Sequence, residues 1–297
     1  MRLCRVQNKK EPAIAVFHND SIYLVEHLIR SSVPLESQSD SDNKDRILKI
    51  AMDKQLQSHI RTELIALKGE PESKFQYLPP ITGPIIGIGR NYKDHVGEGN
   101  LQTTDRPKLF FKHPNSLSGA NQKIIIPKSV AKADWEAELG VVIGKRASKV
   151  PESEALDYVA GFTNINDVSA REFQFDLGPA QTSFAKSMDG FCPSGPWLVT
   201  TDEIEDCQNL SIRCYLNSHL VQESSTDLMI FSIKSIISYI SQFMTLEPGS
   251  ILCTGTPQGV GHFMQPPRYL GNGDIVTVEV QGLGSLSNMF VKEGSNL

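Results

Sequence analysis

The sequence lacks most of what would tie it to a membrane, a cysteine-ligated metal or a nucleic acid. None of its apolar runs approaches the roughly 18 residues of a membrane-spanning helix. Its five cysteines (Cys4, Cys192, Cys207, Cys214 and Cys253) are odd in number, scattered and never spaced as CxxC. They read as free thiols, with neither a disulfide framework nor a zinc site. Positive charge is in short supply: 29 Lys and Arg against 34 Asp and Glu give a net charge of −5. Nucleic acid is therefore not expected as the main partner. The opening Met1-Arg2-Leu3-Cys4-Arg5-Val6 lacks the apolar core of a secretory signal, and with the free thiols this leads us to expect a cytoplasmic protein. No internal repeat is visible. What is present is an ordinary globular composition, 39% hydrophobic and 21% charged over 297 residues. That is material for one large domain, or one large and one small.

Along the first part of the chain, short apolar runs such as Ala13-Ile14-Ala15-Val16-Phe17 and Ile22-Tyr23-Leu24-Val25 alternate with polar turns, which predicts a small β meander. Residues 31–45, rich in Ser and Asp, read as a mobile loop. From Asn43 to Lys68 apolar residues recur near helical spacing without proline, so one or two helices are expected. Pro71 to Pro80 reads as a connector. The expected organisation is a small N-terminal α+β domain over 1–75 and a main domain over 80–297.

The most informative stretch runs from Asp134 to Gln174. Glu136 and Glu138 are two apart, and strand side chains repeat with period two, so both carboxylates leave one face. Their Cα atoms would lie about 6–7 Å apart, close enough to hold one small hard cation. Asp167 ends a second strand-like run, Tyr158 to Thr163, and offers a third oxygen ligand. An acidic pair at this spacing is equally compatible with the solvated face of a half-buried strand.

Upstream, Pro84 to Glu98 reads as a buried strand feeding a turn and a short helix. Gly87 and Gly89 suggest a phosphate loop, but Tyr92 stands where GxGxxG needs its third glycine. His95 and Glu98 share a face of a helical turn, and a carboxylate beside an imidazole tunes it as a general base. A surface His–Glu pair would have the same spacing. Downstream, a hairpin is expected around Asn217-Ser218. An amphipathic helix capped by Ser232 follows, its apolar stripe reading as core or a dimer seam. Thr254 to Gly261 then forms a glycine-rich loop whose amides and hydroxyls could bind a carboxylate.

Taken in order, these motifs resemble the fumarylacetoacetate hydrolase family over residues 82–291. The matching segments are Gly89-Arg90-Asn91-Tyr92 with His95 and Glu98, Trp135-Glu136-Ala137-Glu138-Leu139, Asn166-Asp167-Val168-Ser169-Ala170-Arg171 with Gln174, and Lys186-Ser187. Gly195-Pro196-Trp197, Met229-Ile230-Phe231 and Thr254-Gly255-Thr256-Pro257 complete the series. The resemblance implies a β-rich α+β fold, a mixed β-roll catalytic core, as a homodimer. It implies one Mg²⁺ or Mn²⁺ per subunit on Glu136, Glu138 and Asp167, with His95 and Glu98 as a water-activating dyad and Lys186 as a catalytic cation. Arg90, Tyr92, Arg171, Gln174 and Thr256 would line a pocket for a small 2-oxo or diketo acid.

The activity so implied is hydrolysis of a C–C bond in a 1,3-diketo acid, of the acylpyruvate or diketo sugar-acid type. The alternative is decarboxylation or keto–enol tautomerisation of oxaloacetate at the same metal site. A hard cation chelated by a 2-oxo acid polarises its carbonyl and stabilises the enolate, and the dyad tilts the expectation toward hydrolysis. A metal-binding protein without activity is a third reading, disfavoured by the complete residue set. Two departures stand out: Glu172 where Asp commonly follows the arginine, and Met188-Asp189-Gly190 after Lys186, which leaves the substrate open. Gly97, Gly99 and the polar run after Asn100 suggest a lid over residues 90–106.

Overall fold

A computed structural model of the protein describes residues 1–28, 40–98 and 104–295, apart from the side chains of residues 40–42, 96 and 98. Its centre is a pair of fully buried strands, Ala137–Ile143 and Val159–Asn166, in antiparallel register from Ala137 opposite Asn166. Both read as nearly unbroken apolar runs because both their faces are covered. The two faces go to different cores. Ala137, Leu139 and Val141 point to a core shared with Ile212, Val278 and Leu286, whereas Val142 joins one shared with Ile47, Ile50 and Ile60. Glu138 belongs to the even-numbered face, away from Ile212, Val278 and Leu286.

Around this pair extends a twelve-stranded sheet. On one side it continues through Ile251–Cys253 and Ile85–Gly89, which are parallel, to the edge strand Lys108–Lys112. On the other side Cys192–Thr200 leads into the N-terminal meander of Arg2–Asn8, Glu11–His18 and Ser21–Leu24. A five-stranded sheet packs against it, ordered His219–Ser225, Ser211–Leu216, Ile275–Val280, Ser285–Lys292 and Lys123–Ile126. The architecture is the expected β-rich α+β fold. The meander does not form a sheet of its own: Leu3 pairs with Leu198, and Phe17 stacks on Trp197 with ring centroids 4.3 Å apart.

Two helices, Asp40–Met52 and Lys54–Ala66, fill the expected helical region. Asp53 separates them and caps the second, its carboxylate accepting from the amides of Gln55 and Leu56, both at 3.0 Å. Of the loop expected over residues 31–45, the part up to residue 39 lies outside the described residues, and from Asp40 the chain is helical. Ser and Asp mark helix starts as well as loops, so composition alone misassigned that end. The hairpin at Asn217-Ser218 is present, with both residues at positive φ (49° and 67°) as a two-residue turn between twisted strands requires.

Candidate metal centre and catalytic pocket

Glu136, Glu138 and Asp167 converge as their spacing predicts. Each offers an oxygen within 4.8 Å of the others, and all three are buried. Asp167 is brought alongside by the central strand pair, and its amide donates to the Glu136 carbonyl at 2.9 Å. Glu138 accepts from the Gly255 amide at 2.9 Å. Gly255 stands at φ +98°, and a Cβ there would sit 2.8 Å from that of Asn91, so a side chain would disturb this donor. The glycine-rich loop thus does bind carboxylates, but they are the protein's own: Gly261 and His262 amides donate to Asp134 at 2.8 and 3.0 Å.

Cations surround the triad unevenly. Lys186 Nζ reaches Glu136 at 2.8 Å and Asp167 at 2.6 Å. Arg171 bridges Glu136 at 2.7 Å and Asp134 at 2.8 Å, and its Nη1 donates to Gln174 Oε1 at 2.8 Å. Lys112, wholly buried, holds the other Asp167 oxygen at 2.6 Å and donates to the carbonyls of Phe191 and Lys186. Glu138 has no lysine or arginine ion pair among the described residues.

The titration behaviour follows this distribution. Burial opposes ionisation of Glu136, but Lys186 and Arg171 outweigh it and hold the carboxyl at about 2. Glu138 goes the other way: burial, then Asp167 and Glu136, push it well above the usual carboxylate range. Burial works against the Lys186 ammonium, yet Asp167 and Glu136 raise it above an ordinary lysine. Three converging carboxylates, one of them short of positive charge, form an all-oxygen donor set that fits a hard divalent cation.

A cavity of about 280 Å³ opens over Glu136 and Glu138, lined also by Arg90, His95, Arg171, Gln174, Lys186 and Thr256. His95 is buried in the helix Lys93–Glu98, its ring tilted against Phe263 at 5.8 Å. That helix is anchored by Asp94, which accepts from Ser224 Oγ at 2.7 Å. The side chain of Glu98 lies outside the described residues, as do residues 99–103 of the expected lid. Tyr92 is placed differently from the other expected residues. It is fully buried, bridges to Met229 in the core and is not among the cavity-lining residues. Asn91 explains two further motifs: it donates to the carbonyls of Thr254 and Phe231 at 2.8 and 3.1 Å, binding the glycine-rich loop to the Met229–Phe231 segment.

The comparisons with known proteins bear on this geometry. Residues 84–291 match the sequence model described as "Fumarylacetoacetate (FAA) hydrolase C-terminal". The chain belongs to the fumarylacetoacetate hydrolase family. Relatives of this family member include oxaloacetate tautomerase fahd2, mitochondrial, of Xenopus laevis, 45% identical over 221 residues, or 74% of this chain and 69% of that protein. The human oxaloacetate tautomerase FAHD2A, mitochondrial, is 40% identical over 223 residues, 74% of this chain and 71% of that one. Among solved structures, maleylpyruvate hydrolase from Sphingobium sp. SYK-6, in complex with manganese(II) and pyruvate, superposes with a TM-score of 0.80 at 26% identity. That match covers 98% of this chain and 99% of the other. The 2-hydroxyhepta-2,4-diene-1,7-dioate isomerase from Mycobacterium marinum superposes at 0.74 with 28% identity, covering 99% and 100%.

Sequence reasoning passed over Lys112, Asp134, Phe175 and Phe263. Lys112 did carry a signal, being two residues after Phe110 on the buried face of the same strand. Glu172 accepts from the amides of Ala131 and Lys132 at 2.6 and 3.2 Å, a structural task for the departure from the family pattern.

Proposed function

We propose that this family member is a divalent-metal-dependent enzyme that forms an enolate from a small 2-oxo acid, with oxaloacetate keto–enol tautomerisation as its reaction. One observation carries the reading: three buried carboxylates converge, two of them lining a cavity that also holds a histidine and two buried cations. A Mg²⁺ or Mn²⁺ ion on Glu136, Glu138 and Asp167 would supply Lewis acidity, polarising the 2-oxo group.

The chain's own groups account for the rest. His95 takes the proton from the carbon next to the 2-oxo group; the C–H electron pair moves into the new C=C bond and charge accumulates on the carbonyl oxygen. Lys186 and Arg171 lie where that charge develops and stabilise it in a water-poor site. His95 then returns the proton, to oxygen for the enol or to carbon for the ketone. The 40–45% identity to oxaloacetate tautomerases supports this reaction ahead of cleavage.

Hydrolysis of a 1,3-diketo acid is the second reading, supported by the maleylpyruvate hydrolase likeness. There His95, aided by Glu98, would deprotonate water for attack on the distal carbonyl; the C–C bond breaks, and the enolate carbon is protonated.

The two are separated by assaying oxaloacetate tautomerisation and acetylpyruvate cleavage with Mg²⁺ or Mn²⁺, in the wild type and in His95→Ala. The expected result is accelerated tautomerisation that falls about 10²- to 10⁴-fold in His95→Ala, the usual span for a positioned acid–base group. Cleavage of acetylpyruvate without tautomerisation would replace the first reading by the second. No acceleration of either would overturn both.

A further inference from the structure

The floor of the cavity and its mouth carry opposite charge. Among the described residues the acidic groups lining the cavity are Glu136 and Glu138 at the floor. Arg90 and Lys108 line it as well, and neither side chain forms an ion pair or hydrogen bond among the described residues. They stand side by side because Gly89 pairs with Lys108 across two neighbouring strands. The lysine stem runs over Gly89, its Cδ 3.8 Å from where a Cβ would lie there. Arg90 adopts φ +58°, a left-handed conformation that a non-glycine residue takes at some cost, and keeps a half-buried guanidinium at this spot.

Charge counting says what such a pair is for. The interior holds Asp134, Glu136, Glu138 and Asp167 against Lys112, Arg171 and Lys186, four negative groups against three positive. With a divalent cation bound and all four carboxylates ionised the balance is +1, and one substrate carboxylate brings it to zero. A second carboxylate would then find no counter-charge at the floor, and burying it unpaired is strongly unfavourable. Among the described residues, Arg90 and Lys108 at the mouth are the lining lysine and arginine left to neutralise it.

We propose that Arg90 and Lys108 form a subsite for the distal carboxylate of the substrate, so that the enzyme selects 2-oxo dicarboxylates over 2-oxo monocarboxylates. The subsite rests on the reading of the floor given above. It adds Lys108 to the binding residues and assigns Arg90 to the far end of the substrate, not the 2-oxo end. Phe110, Phe175 and Phe263 line the cavity as well, and a charge-assisted hydrogen bond is stronger than a neutral one.

Malate and lactate, stable 2-hydroxy acids with two carboxylates and one, test this without turnover. Each is titrated by calorimetry into full-length, Mn²⁺-loaded wild type, Lys108→Gln, Arg90→Gln and the double variant. The expected result is malate binding about tenfold or more tighter than lactate in the wild type. The double variant loses most of that advantage, while its lactate affinity moves far less. Lys108→Glu, which places a like charge at the subsite, should weaken malate further. Equal affinities in the wild type, or a malate preference that survives the double variant, would overturn the proposal. The oxaloacetate assay separates this from the parent reading. A malate preference abolished in the variants, in a protein without tautomerase activity, keeps the subsite and removes the reaction. An active enzyme whose KM for oxaloacetate is unchanged in the double variant removes the subsite alone.

Discussion

Lys112 and Lys186 divide the two oxygens of Asp167 between them, each at 2.6 Å. This fixes the carboxylate's plane without a ligand and gives it two charged neighbours. Lys112→Met would keep the length of the side chain but strand one Asp167 oxygen and the Phe191 carbonyl in the interior. Removing one partner of a buried ion pair costs about 3–5 kcal/mol, so urea unfolding should show a loss of that order; a loss below about 1 kcal/mol would contradict the role. The exposed Arg213–Glu223 pair is the control, since surface pairs contribute about 0–1 kcal/mol. At this scale the sequence was readable where spacing alone implies direction. Glu136 and Glu138 had to share a face, and the structure puts them there. Lys112 was readable only in part: its register put it on the buried face with Phe110, but nothing local showed that a carboxylate lies opposite.

The helix Ile233–Phe243 shows how an element is set by its ends. Ser232 Oγ accepts from the Ser235 amide at 3.1 Å, and Ile233, Ile236, Ile237 and Ile240 form the buried stripe. Ser232→Ala should destabilise the protein by about 1 kcal/mol, read from the midpoint of a denaturant melt at unchanged slope; no shift would show the cap to be idle. Cap and stripe were both legible, because each is a local pattern. The glycine-rich loop was legible only in part. Its composition pointed to carboxylate binding, but that its amides serve Glu138 and Asp134 depends on pairings over 100 residues apart. Asn91 is a similar case, since its partners Thr254 and Phe231 are remote in sequence.

For the whole molecule, the single large sheet decides how the parts relate. A boundary near residue 75 was expected from the connector between Pro71 and Pro80, yet Gln76–Leu78 pairs with Arg2–Asn8, which pairs in turn with Cys192–Thr200. Strand partners across such separations leave no local trace in the sequence, so this pairing was not legible there. The solved structures named above superpose over nearly the whole chain, N-terminal segment included. What the fold positions in the end is one cluster of charge, and whether that cluster holds a metal is the question on which the function turns. Calorimetric titration of Mn²⁺ into the metal-stripped wild type and into Glu138→Gln answers it most directly. The account predicts one ion bound per chain in the wild type and loss of that binding in a variant whose circular dichroism is unchanged. Equal Mn²⁺ affinity in the two proteins, or none in the wild type, would contradict it.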